Sequence, residues 1–385
     1  MQKHLVLVGG GHAHMTMLVR CRDLVDRGFS VTLVSASPYH YYSGMGPGML
    51  AGIYQPRDIR FHVRKTALDR GADFIEDRVV RVDAGNRLLH LRSGGTVGYD
   101  VASFNTGSDV VLPERAQDHE NVFPVKPIVS LRAAQRAIIA RLQRGAAEIA
   151  VIGGGPAALE IAGNAWRLAR DQGGHGHITI IPGRELLSGH PQRVRSTARA
   201  SLLRRGIAVL DGSYGERIER SAVVLTGGQR LPADIILVAT GIRPSSLFRD
   251  SGLPVGPDNG LLVNRFLQST ASPGIFGGGD AISFEPRPLA KVGVYAVREN
   301  MVLYRNILAA LAGGALVPFE PQRDFMLIFN MGDDRAIMTR RDLVMDGWLA
   351  WKLKDWIDRS FMKKFQVSGE RDEAAPEQGA QHGHS

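Results

Sequence analysis

The chain has 385 residues, a net charge of +9 and an apolar fraction of 44%, which together indicate a folded protein of two to three domains. Its apolar runs stay well short of the roughly 18 residues that cross a bilayer. Its single cysteine, Cys21, excludes disulfide scaffolds, thiolate zinc sites and dithiol redox centres. The charge favours an anionic partner, a phosphate-bearing cofactor or an acidic membrane surface, although many basic proteins bind nothing through their charge. We expect a cytoplasmic protein with no metal site and no nucleic-acid partner.

The first predicted elements are a strand, a glycine turn and a helix, in HLVLVGGGHAHMTMLV, and the same layout returns in EIAVIGGGPAALEIAG. Each pattern is typical of a β-α-β unit that binds a dinucleotide. Gly9 and Gly153 would permit the tight turns. Gly11 and Gly155 would let the backbone approach a pyrophosphate at the helix N-terminus. Two such units predict two dinucleotides, with electron transfer from one to the other.

Both units depart from the ideal pattern. His14 and Ala158 occupy the position of the third glycine, and the larger histidine should push its helix away from the strand. The acid that usually binds a ribose hydroxyl is absent after both second strands. Ser35 takes its place in the first unit and can still bond a ribose. In the second unit Arg184 would favour the 2′-phosphate of NADPH, unless it is only a solvated turn residue.

Other segments carry simpler patterns. DRVVRVDAGNRLLHLRSGGTVGYD alternates and contains Gly-Asn and Gly-Gly turns, which predicts a β-hairpin. DFMLIFNMGDDRAIMTRRDLV suggests two short strands around a Gly-Asp-Asp turn. The final segment, SGERDEAAPEQGAQHGHS, is polar and lacks apolar periodicity, so we expect it to be disordered.

The segment GWLAWKLKDWIDRSFMKKF, residues 347–365, holds three of the four tryptophans. As a helix it has two apolar patches and one polar face. The larger patch is Leu349, Leu353, Trp356, Ile357 and Ser360, the smaller is Trp351, Met362 and Phe365, and the polar face is Lys352, Asp355, Arg359 and Lys363. One interpretation is a helix docked on the protein body. Two patches with interfacial tryptophans and lysines better fit a helix with one side on the protein and another in a membrane surface.

Several motifs between residues 1 and 367 resemble those of flavoproteins with two dinucleotide-binding domains: VGGGHAH, NTGSD, GGGPAALEIAG, VATGIRP and GIFGGGDA. That group includes type II NADH dehydrogenases, sulfide:quinone reductases and disulfide reductases. Four further segments look like the oxidoreductase module that is fused to selenide, water dikinase in some bacteria: YYSGMGPGMLAGIY, VKP, KVGVYAVREN and LKDWIDRSFMKKF. The resemblance implies FAD in the first unit, and NADH or NADPH as co-substrate in the second.

The implied fold is α/β, with two Rossmann-like dinucleotide-binding domains and a small membrane-associating C-terminal portion. The FAD domain would comprise residues 1–110 and 242–315. The NAD(P)H domain, residues 111–241, would be inserted between these two segments. A C-terminal portion with an amphipathic helix would follow at 316–367, and a disordered tail at 368–385.

The resemblance also implies site residues. Asp280 would bind the ribityl hydroxyls, and a helix from about Lys291 or Val292 would point its N-terminus at the flavin ring. Glu160 would lie beside the nicotinamide and flavin N5 and orient the nicotinamide for hydride transfer. Tyr42 and Ser43 would approach the flavin or acceptor, or belong to a plain covering loop. The expected FAD contacts are Gly9, Gly11, His12, Ala13, Ser35, Thr106, Gly107, Gly279, Asp280 and Val292, and the expected NAD(P)H contacts are Gly153, Gly155, Pro156, Arg184 and Gly241.

The cysteine count restricts the electron acceptor. Cys21 alone cannot supply the cysteine pair of a disulfide reductase or the sulfur-carrying cysteines of a sulfide:quinone reductase. The family option that remains is a quinone, as in type II NADH dehydrogenases. We therefore expect an FAD-dependent NAD(P)H:quinone oxidoreductase that lies on the inner face of the cell membrane through residues 347–365, with a homodimer left open. The alternatives are a soluble reductase of a small acceptor, such as a selenium or sulfur species, and a non-catalytic flavin redox sensor.

Overall fold

A computed structural model describes residues 2–373 of the chain. The first part of the chain builds a parallel sheet in which β1 pairs with β2 and β9, and β2 pairs with β5. The elements of this part are β1 (His4–Val8), α1 (Met15–Val19), α2 (Cys21–Val25), β2 (Ser30–Ser35), β3 (His40–Tyr41), α3 (Gly46–Leu50), β4 (Arg60–Phe61), α4 (Val63–Leu68), β5 (Asp73–Glu76), β6 (Val79–Asp83), β7 (Leu88–Leu91), β8 (Thr96–Gly98), β9 (Val101–Phe104) and β10 (Asp109–Val110).

The middle of the chain builds a second five-stranded parallel sheet, with the strand order β11-β18-β12-β13-β14. A three-stranded antiparallel sheet, β15-β16-β17, stands beside it. The elements are β11 (Val122–Pro124), α5 (Ser130–Leu142), β12 (Ala147–Ile152), α6 (Pro156–Asp171), β13 (Gly176–Ile181), α7 (Gln192–Leu203), β14 (Ala208–Val209), β15 (Gly215–Glu219), β16 (Ala222–Leu225), β17 (Arg230–Pro232), β18 (Ile235–Val238) and β19 (Ile242–Arg243).

The chain then returns to the first sheet. The next elements are α8 (Leu247–Asp250), β20 (Leu261–Val263), β21 (Ile275–Gly277), β22 (Ile282–Phe284) and α9 (Gly293–Ala312). β21 pairs with β9 and completes the order β21-β9-β1-β2-β5, so the second sheet is inserted into the sequence of the first. β10 and β19 form an antiparallel pair where the chain leaves and comes back. The two Rossmann-like units predicted from the sequence are confirmed.

Both glycine loops follow strands that are buried on both faces. β1 and β12 read HLVLV and AEIAVI, and nearly all of these side chains are inaccessible to solvent. Continuous apolar strands are typical of parallel sheets that are covered on both sides by helices. α9 begins at Gly293 with Val292 as its N-cap residue, within two residues of the predicted start. Cys21 is fully buried in α2, and burial raises the pKa of its thiol to about 12.

The C-terminal part is a three-stranded antiparallel sheet followed by a long helix: β23 (Leu327–Asn330), β24 (Ala336–Arg340), β25 (Leu343–Gly347) and α10 (Trp348–Phe365). The sequence predicted two of these strands and missed β25. The β24–β25 turn is Arg341-Asp342, with φ +52° at Arg341, and lacks the glycine or asparagine that usually marks such turns. Likewise, the predicted hairpin at 77–100 has a third strand and forms the sheet β6-β7-β8. No helix within residues 2–373 is long and apolar enough to cross a membrane.

The prediction of disorder from residue 368 onward is wrong for its first six residues, and residues 374–385 lie outside the described part of the chain. The Glu370 side chain is 1% exposed and accepts hydrogen bonds from the backbone N–H groups of His62 (3.1 Å) and Ser368 (2.9 Å). Glu373 forms a 2.5 Å ion pair with the buried Arg60. Disorder was predicted because this segment lacks apolar periodicity. Polar contacts with α4, its N-cap His62 and β4 nevertheless hold residues 368–373 in place.

Helix α6 makes a close backbone contact with the C-terminal sheet at Gly163, and this contact predicts the effect of a substitution on stability. A Cβ atom at Gly163 would overlap the Met331 carbonyl group and would lie 2.8 Å from its carbon. We therefore expect Gly163→Ala to reduce the free energy of unfolding by about 1–3 kcal/mol, through overpacking. Urea titration followed by circular dichroism measures this change. Gly189→Ala is the control because no atom lies within 4 Å of its added Cβ. Equal stability of the two variants would contradict the contact.

Candidate active site

The first glycine loop is pressed against the end of β9. Gly9 has φ +87°, and a Cβ atom there would collide with the carbonyl of Asn105. A Cβ atom at Gly11 would lie 2.6 Å from the Oδ1 atom of Asn105. Side chains are therefore excluded from both positions. The chain then turns through a short 3-10 helix, His12–His14, into α1, so the loop amides precede a helix start.

His14, at the third-glycine position, is a structural residue of this loop. Its side chain is fully buried, with Nδ1 2.7 Å from the Gly9 carbonyl oxygen and Nε2 2.8 Å from the Ser103 hydroxyl. Burial lowers its pKa to about 4, so the imidazole is neutral at pH 7. These bonds tie the glycine loop to β9 and occupy both ring nitrogens.

The second predicted FAD segment lies against the first loop. A Cβ atom at Gly278 would lie 2.8 Å from the Cβ of Ala13, and Gly279 follows directly. From α9, the side-chain amide of Asn300 donates a 2.5 Å hydrogen bond to the His12 carbonyl oxygen. The structure therefore brings together the predicted residues from the start of the chain and from the segment after β21.

Asp280 has partners that the sequence did not reveal. Its Oδ2 atom accepts hydrogen bonds from the Lys126 ammonium group at 2.6 Å and the Ser108 hydroxyl at 2.9 Å. Its Oδ1 atom has no hydrogen-bond partner within residues 2–373 and is available to a ribityl hydroxyl. Lys126 belongs to the VKP motif, which carried the family resemblance but was not assigned a role.

Two unpaired buried polar atoms test whether this region fits FAD. His12 Nε2 and Asn105 Nδ2 are buried and have no hydrogen-bond partner within the described residues. Buried polar atoms are almost always paired, so these two, one in the residue after Gly11 and one in the side chain that contacts Gly11, fit a ligand rich in oxygen and nitrogen atoms. Burial and the charge of Lys126 lower the pKa of His12 to about 4. The open carboxylate oxygen of Asp280 and these two atoms are consistent with FAD.

The remaining predicted FAD contacts follow the carboxyl ends of strands in the first sheet or begin α9. Ser35 ends β2 and donates a 3.0 Å hydrogen bond to the Ser37 carbonyl oxygen. Thr106, which is exposed, and Gly107 follow β9. Val292 caps α9. Parallel strands present their carboxyl ends at one edge of a sheet, which is where ligands bind in such folds.

The second glycine loop leaves open space at the start of α6. Gly153 has φ +143°, and a Cβ atom there would collide with the Ala239 carbonyl. In contrast, no atom lies within 4 Å of a Cβ atom built at Gly155 or Gly241. Pro156 is the first residue of α6, so the free amides at the start of this helix face open space. This arrangement suits a pyrophosphate.

Glu160, one helical turn into α6, meets the C-terminal sheet. Its Oε1 atom accepts a 2.7 Å hydrogen bond from the backbone N–H of Asn330. Burial raises the pKa of Glu160 to about 7, and the positive charge of Lys354 limits this increase. The carboxyl group can therefore gain or lose a proton near neutral pH.

Helix α10 contributes a largely buried ion pair whose charges act on the pKa of Glu160. Lys354 donates hydrogen bonds to Asp358 Oδ2 at 2.7 Å and to the Gly44 carbonyl oxygen at 2.8 Å. Tyr42 donates a 3.0 Å hydrogen bond to Asp358 Oδ1. Burial acts to lower the pKa of Lys354, but the charges of Asp358 and Glu160 outweigh it and raise that pKa. The loop that contains Tyr42 and Ser43 is thus the contact surface of the C-terminal helix.

Aromatic rings connect this ion pair to the first glycine loop. The rings of Tyr42 and Phe361 stack at a centroid distance of 4.8 Å, and those of His12 and His40 meet edge to face at 4.7 Å. His12 also faces Phe361 at 5.9 Å. One continuous group of side chains therefore runs from the first glycine loop to α10.

Lys126, Lys354 and Asp358 were not predicted from the sequence as residues of this candidate site. The Lys354–Asp358 spacing of four residues was a usable signal, because it places both groups on one helical face. The prediction for this helix was based instead on its apolar patches and tryptophans. No group of three or more His, Cys, Asp or Glu residues in the described range is arranged to hold a metal ion.

Comparison with known proteins places this geometry in a family. The sequence profile of the pyridine nucleotide-disulphide oxidoreductases matches residues 3–302. Oxidoreductase ptaL of Pestalotiopsis fici is 23% identical over 365 residues, which cover 90% of this chain and 94% of that protein. Demethylphylloquinone reductase NdbB of Synechocystis sp. is 29% identical over 210 residues, which cover 52% of this chain and 50% of that protein, so the chain spans half of its length. The structure of the sulfide:quinone oxidoreductase of Aquifex aeolicus aligns with a TM-score of 0.80 at 19% identity, covering 95% of this chain and 92% of that one.

The fold and the two glycine loops define a two-domain flavoprotein reductase. The chain belongs to the pyridine nucleotide-disulphide oxidoreductase family, whose members bind FAD and use NAD(P)H. It is an oxidoreductase. Cys21 is the single cysteine of this sequence and is buried.

The buried carboxyl group of Glu299 predicts that the stability of the protein depends on pH. Its carboxyl group is 1% exposed and accepts a 2.5 Å hydrogen bond from the Gly279 N–H, and burial raises its pKa from 4.5 to about 7. The folded state therefore holds a proton that the unfolded state releases between these pH values. Relative to Glu299→Gln, the wild-type free energy of unfolding should decrease as pH rises from 5 to 8, by at most about 3 kcal/mol.

Urea titrations at several pH values measure this difference. The exposed Glu216→Gln variant is the control for loss of a carboxylate. A difference between wild type and Glu299→Gln that does not change with pH would show that Glu299 is not held protonated.

Proposed function

We propose that the protein is an FAD-dependent NAD(P)H:quinone oxidoreductase that works at a membrane surface. The observation that carries the proposal is the position of α10. One side of this helix carries the Lys354–Asp358 pair, whose charges act on the pKa of Glu160, and its other side exposes large apolar residues. The same helix therefore links the redox site to an apolar surface, where a lipid-soluble acceptor would enter.

The proposed net reaction is NAD(P)H + H⁺ + quinone → NAD(P)⁺ + quinol. When bound, FAD would supply the redox chemistry, as a group that can take up a hydride and give up two electrons. One proton must come from solution for each turnover. The protein has to hold both ligands, exclude water and deliver this proton.

Glu160 and Lys354 have complementary roles in this proposal. Glu160, with a pKa of about 7, carries the proton and positions the nicotinamide at the start of α6. Lys354 remains charged and stabilises the negative charge that develops on a quinone oxygen during reduction. Asp358 and the Gly44 carbonyl orient the ammonium group of Lys354.

The proposed FAD contacts are the predicted residues from the first loop, the Thr106–Gly107 segment and the Gly279–Asp280 segment, with two additions. Lys126 and Ser108 hold the carboxylate of Asp280. The proposed NAD(P)H contacts remain Gly153, Gly155, Pro156 and Gly241, since the glycine loop leaves open space at the start of α6.

The exposed apolar surface supports a membrane contact. Leu343 at the β24–β25 turn and three residues of α10 are 55–67% exposed: Trp348, Leu349 and Trp356. The smaller predicted patch instead faces the protein, where Met362 and Phe365 are buried. Lys352 lies 5.6 Å from the Trp348 ring centroid and 5.1 Å from that of Trp351. Tryptophans that are interleaved with lysines are typical of helices that lie in a membrane interface.

Anaerobic absorbance titration tests the proposed function. Purified protein should lose its oxidised-flavin absorbance on addition of NADH or NADPH, and regain it on addition of a water-soluble quinone. Bleaching without recovery by quinone would support the alternative of a reductase for a different small acceptor, such as the selenium or sulfur species implied by resemblance to the kinase-fused module. Absence of bleaching with both nucleotides would refute catalysis and favour a redox sensor.

The membrane contact is tested by replacing only side chains that do not pack on the protein. We expect the triple variant Trp348→Ser, Leu349→Ser, Trp356→Ser to keep its flavin, and to bind anionic liposomes at least tenfold more weakly, because burying each large apolar side chain contributes about 1.5–3 kcal/mol. Cosedimentation measures the affinity. Leu203→Ser, which removes an exposed leucine from α7, is the control. Unchanged liposome binding by the triple variant would contradict the membrane contact.

A further inference from the structure

The edge of the second sheet offers a path for the adenosine half of a nicotinamide dinucleotide. The open loop at Gly155 follows β12, and β13 and β14 are the next strands in the sheet. A pyrophosphate at the start of α6 would direct the adenosine ribose toward the end of β13. The adenine would extend further, toward the segment after β14. The residues at these two strand ends therefore decide which nucleotide binds.

The carboxylates at this edge are already paired. The usual ribose-binding acid is absent, because Pro182 directly follows β13. Glu185 forms an ion pair with Arg195. Asp211 forms an ion pair with Arg199, and also accepts a 3.1 Å hydrogen bond from the backbone N–H of Leu186. Neither carboxylate is free to bind the two hydroxyls of an NADH ribose.

Arg184 is a cation at this edge that remains available. Its side chain is exposed and has no ion-pair or hydrogen-bond partner within residues 2–373. A guanidinium group stays charged at all accessible pH values and binds phosphate oxygens in a bidentate manner. Arg184 therefore offers a phosphate site at the place where a ribose 2′-position would lie.

Tyr214 supplies an aromatic surface beside Arg184. Its ring lies on Gly183, where an added Cβ atom would be 2.7 Å from Tyr214 Cε1. The Gly183 N–H donates a 3.0 Å hydrogen bond to the Ser213 carbonyl oxygen, which fixes the two segments together. The backbone N–H of Tyr214 also donates a 2.9 Å hydrogen bond to Thr226 Oγ1. The side chain is 53% exposed, so the ring can stack on a base.

We propose that this site selects the 2′-phosphorylated dinucleotide NADPH over NADH. Arg184 binds the 2′-phosphate, and Tyr214 stacks on the adenine. This inference rests on the use of a nicotinamide dinucleotide in the proposed function and identifies which one is used. Of these two residues, only Arg184 distinguishes NADPH from NADH, because the adenine is common to both nucleotides.

Calorimetric titration of the FAD-bound protein with NADP⁺ and NAD⁺ tests the selectivity. We expect NADP⁺ to bind at least tenfold more tightly. Arg184→Gln should weaken NADP⁺ binding by about 10- to 100-fold, the range of a lost charge-assisted hydrogen bond, and leave NAD⁺ binding nearly unchanged. Arg204→Gln removes the same charge from the exposed end of α7, and should change neither affinity.

Tyr214 variants separate stacking from phosphate recognition. Tyr214→Ala should weaken the binding of NADP⁺ and NAD⁺ by a similar factor, about tenfold. Tyr214→Phe should restore both affinities. If Tyr214→Ala leaves both affinities unchanged, or changes only one of them, the proposed adenine contact is wrong.

Binding of the adenosine fragments 2′,5′-ADP and 5′-AMP tests the nucleotide selectivity separately from the proposed quinone reduction. Binding of these fragments requires no flavin chemistry. Equal affinities for the two fragments, or an unchanged NADP⁺ affinity in Arg184→Gln, would overturn the inference even if the flavin is reduced by nucleotide. Tighter binding of 2′,5′-ADP that depends on Arg184 would support the inference even if quinone turnover were absent.

Discussion

The ion pair between Lys354 and Asp358 is the contact on which the arrangement of the site depends. Removing two charges from water is costly, and a buried pair offsets that cost only when its remaining hydrogen-bonding groups are satisfied. Here the Gly44 carbonyl oxygen accepts a hydrogen bond from Lys354, and the Tyr42 hydroxyl donates one to Asp358. Because these partners belong to the loop after β3, the pair fixes α10 against the first domain. Loss of one partner would leave the other charge buried and unpaired.

This docking gives α10 two different sides. Lys354 and Asp358 face the site, together with Phe361, whose ring stacks on Tyr42. Trp348, Leu349 and Trp356 face outward. At its end the helix continues into residues 366–373, which are held by buried hydrogen bonds and by the ion pair of Glu373 with Arg60. Helix α10 and residues 366–373 are thus anchored to the first domain, and the proposed membrane surface lies at a fixed position relative to that domain.

The sequence predicted the features that depend on local signals. The glycine loops, the buried strands of both sheets and the start of α9 are each marked within a few residues, so their positions agree with the structure. Partners that meet only through tertiary packing were not predicted: Lys126 reaches Asp280 from a different domain, and Lys354 reaches the Gly44 carbonyl from the end of the chain. The strand β25 was missed because its turn has no glycine, and the ordered residues after α10 were missed because polar rather than apolar contacts hold them.

Double-mixing stopped flow tests the central claim that α10 belongs to the acceptor half of the reaction. The protein is first reduced with one equivalent of nucleotide under anaerobic conditions and then mixed with a water-soluble quinone, in the wild type and in Lys354→Met. The exposed Lys65→Met variant is the control. We predict that flavin reduction in Lys354→Met stays within about twofold of the wild type, and that reoxidation by quinone slows at least tenfold, the effect of about 1.4 kcal/mol of lost stabilisation. Equal reoxidation rates in Lys354→Met and the wild type would contradict the claim.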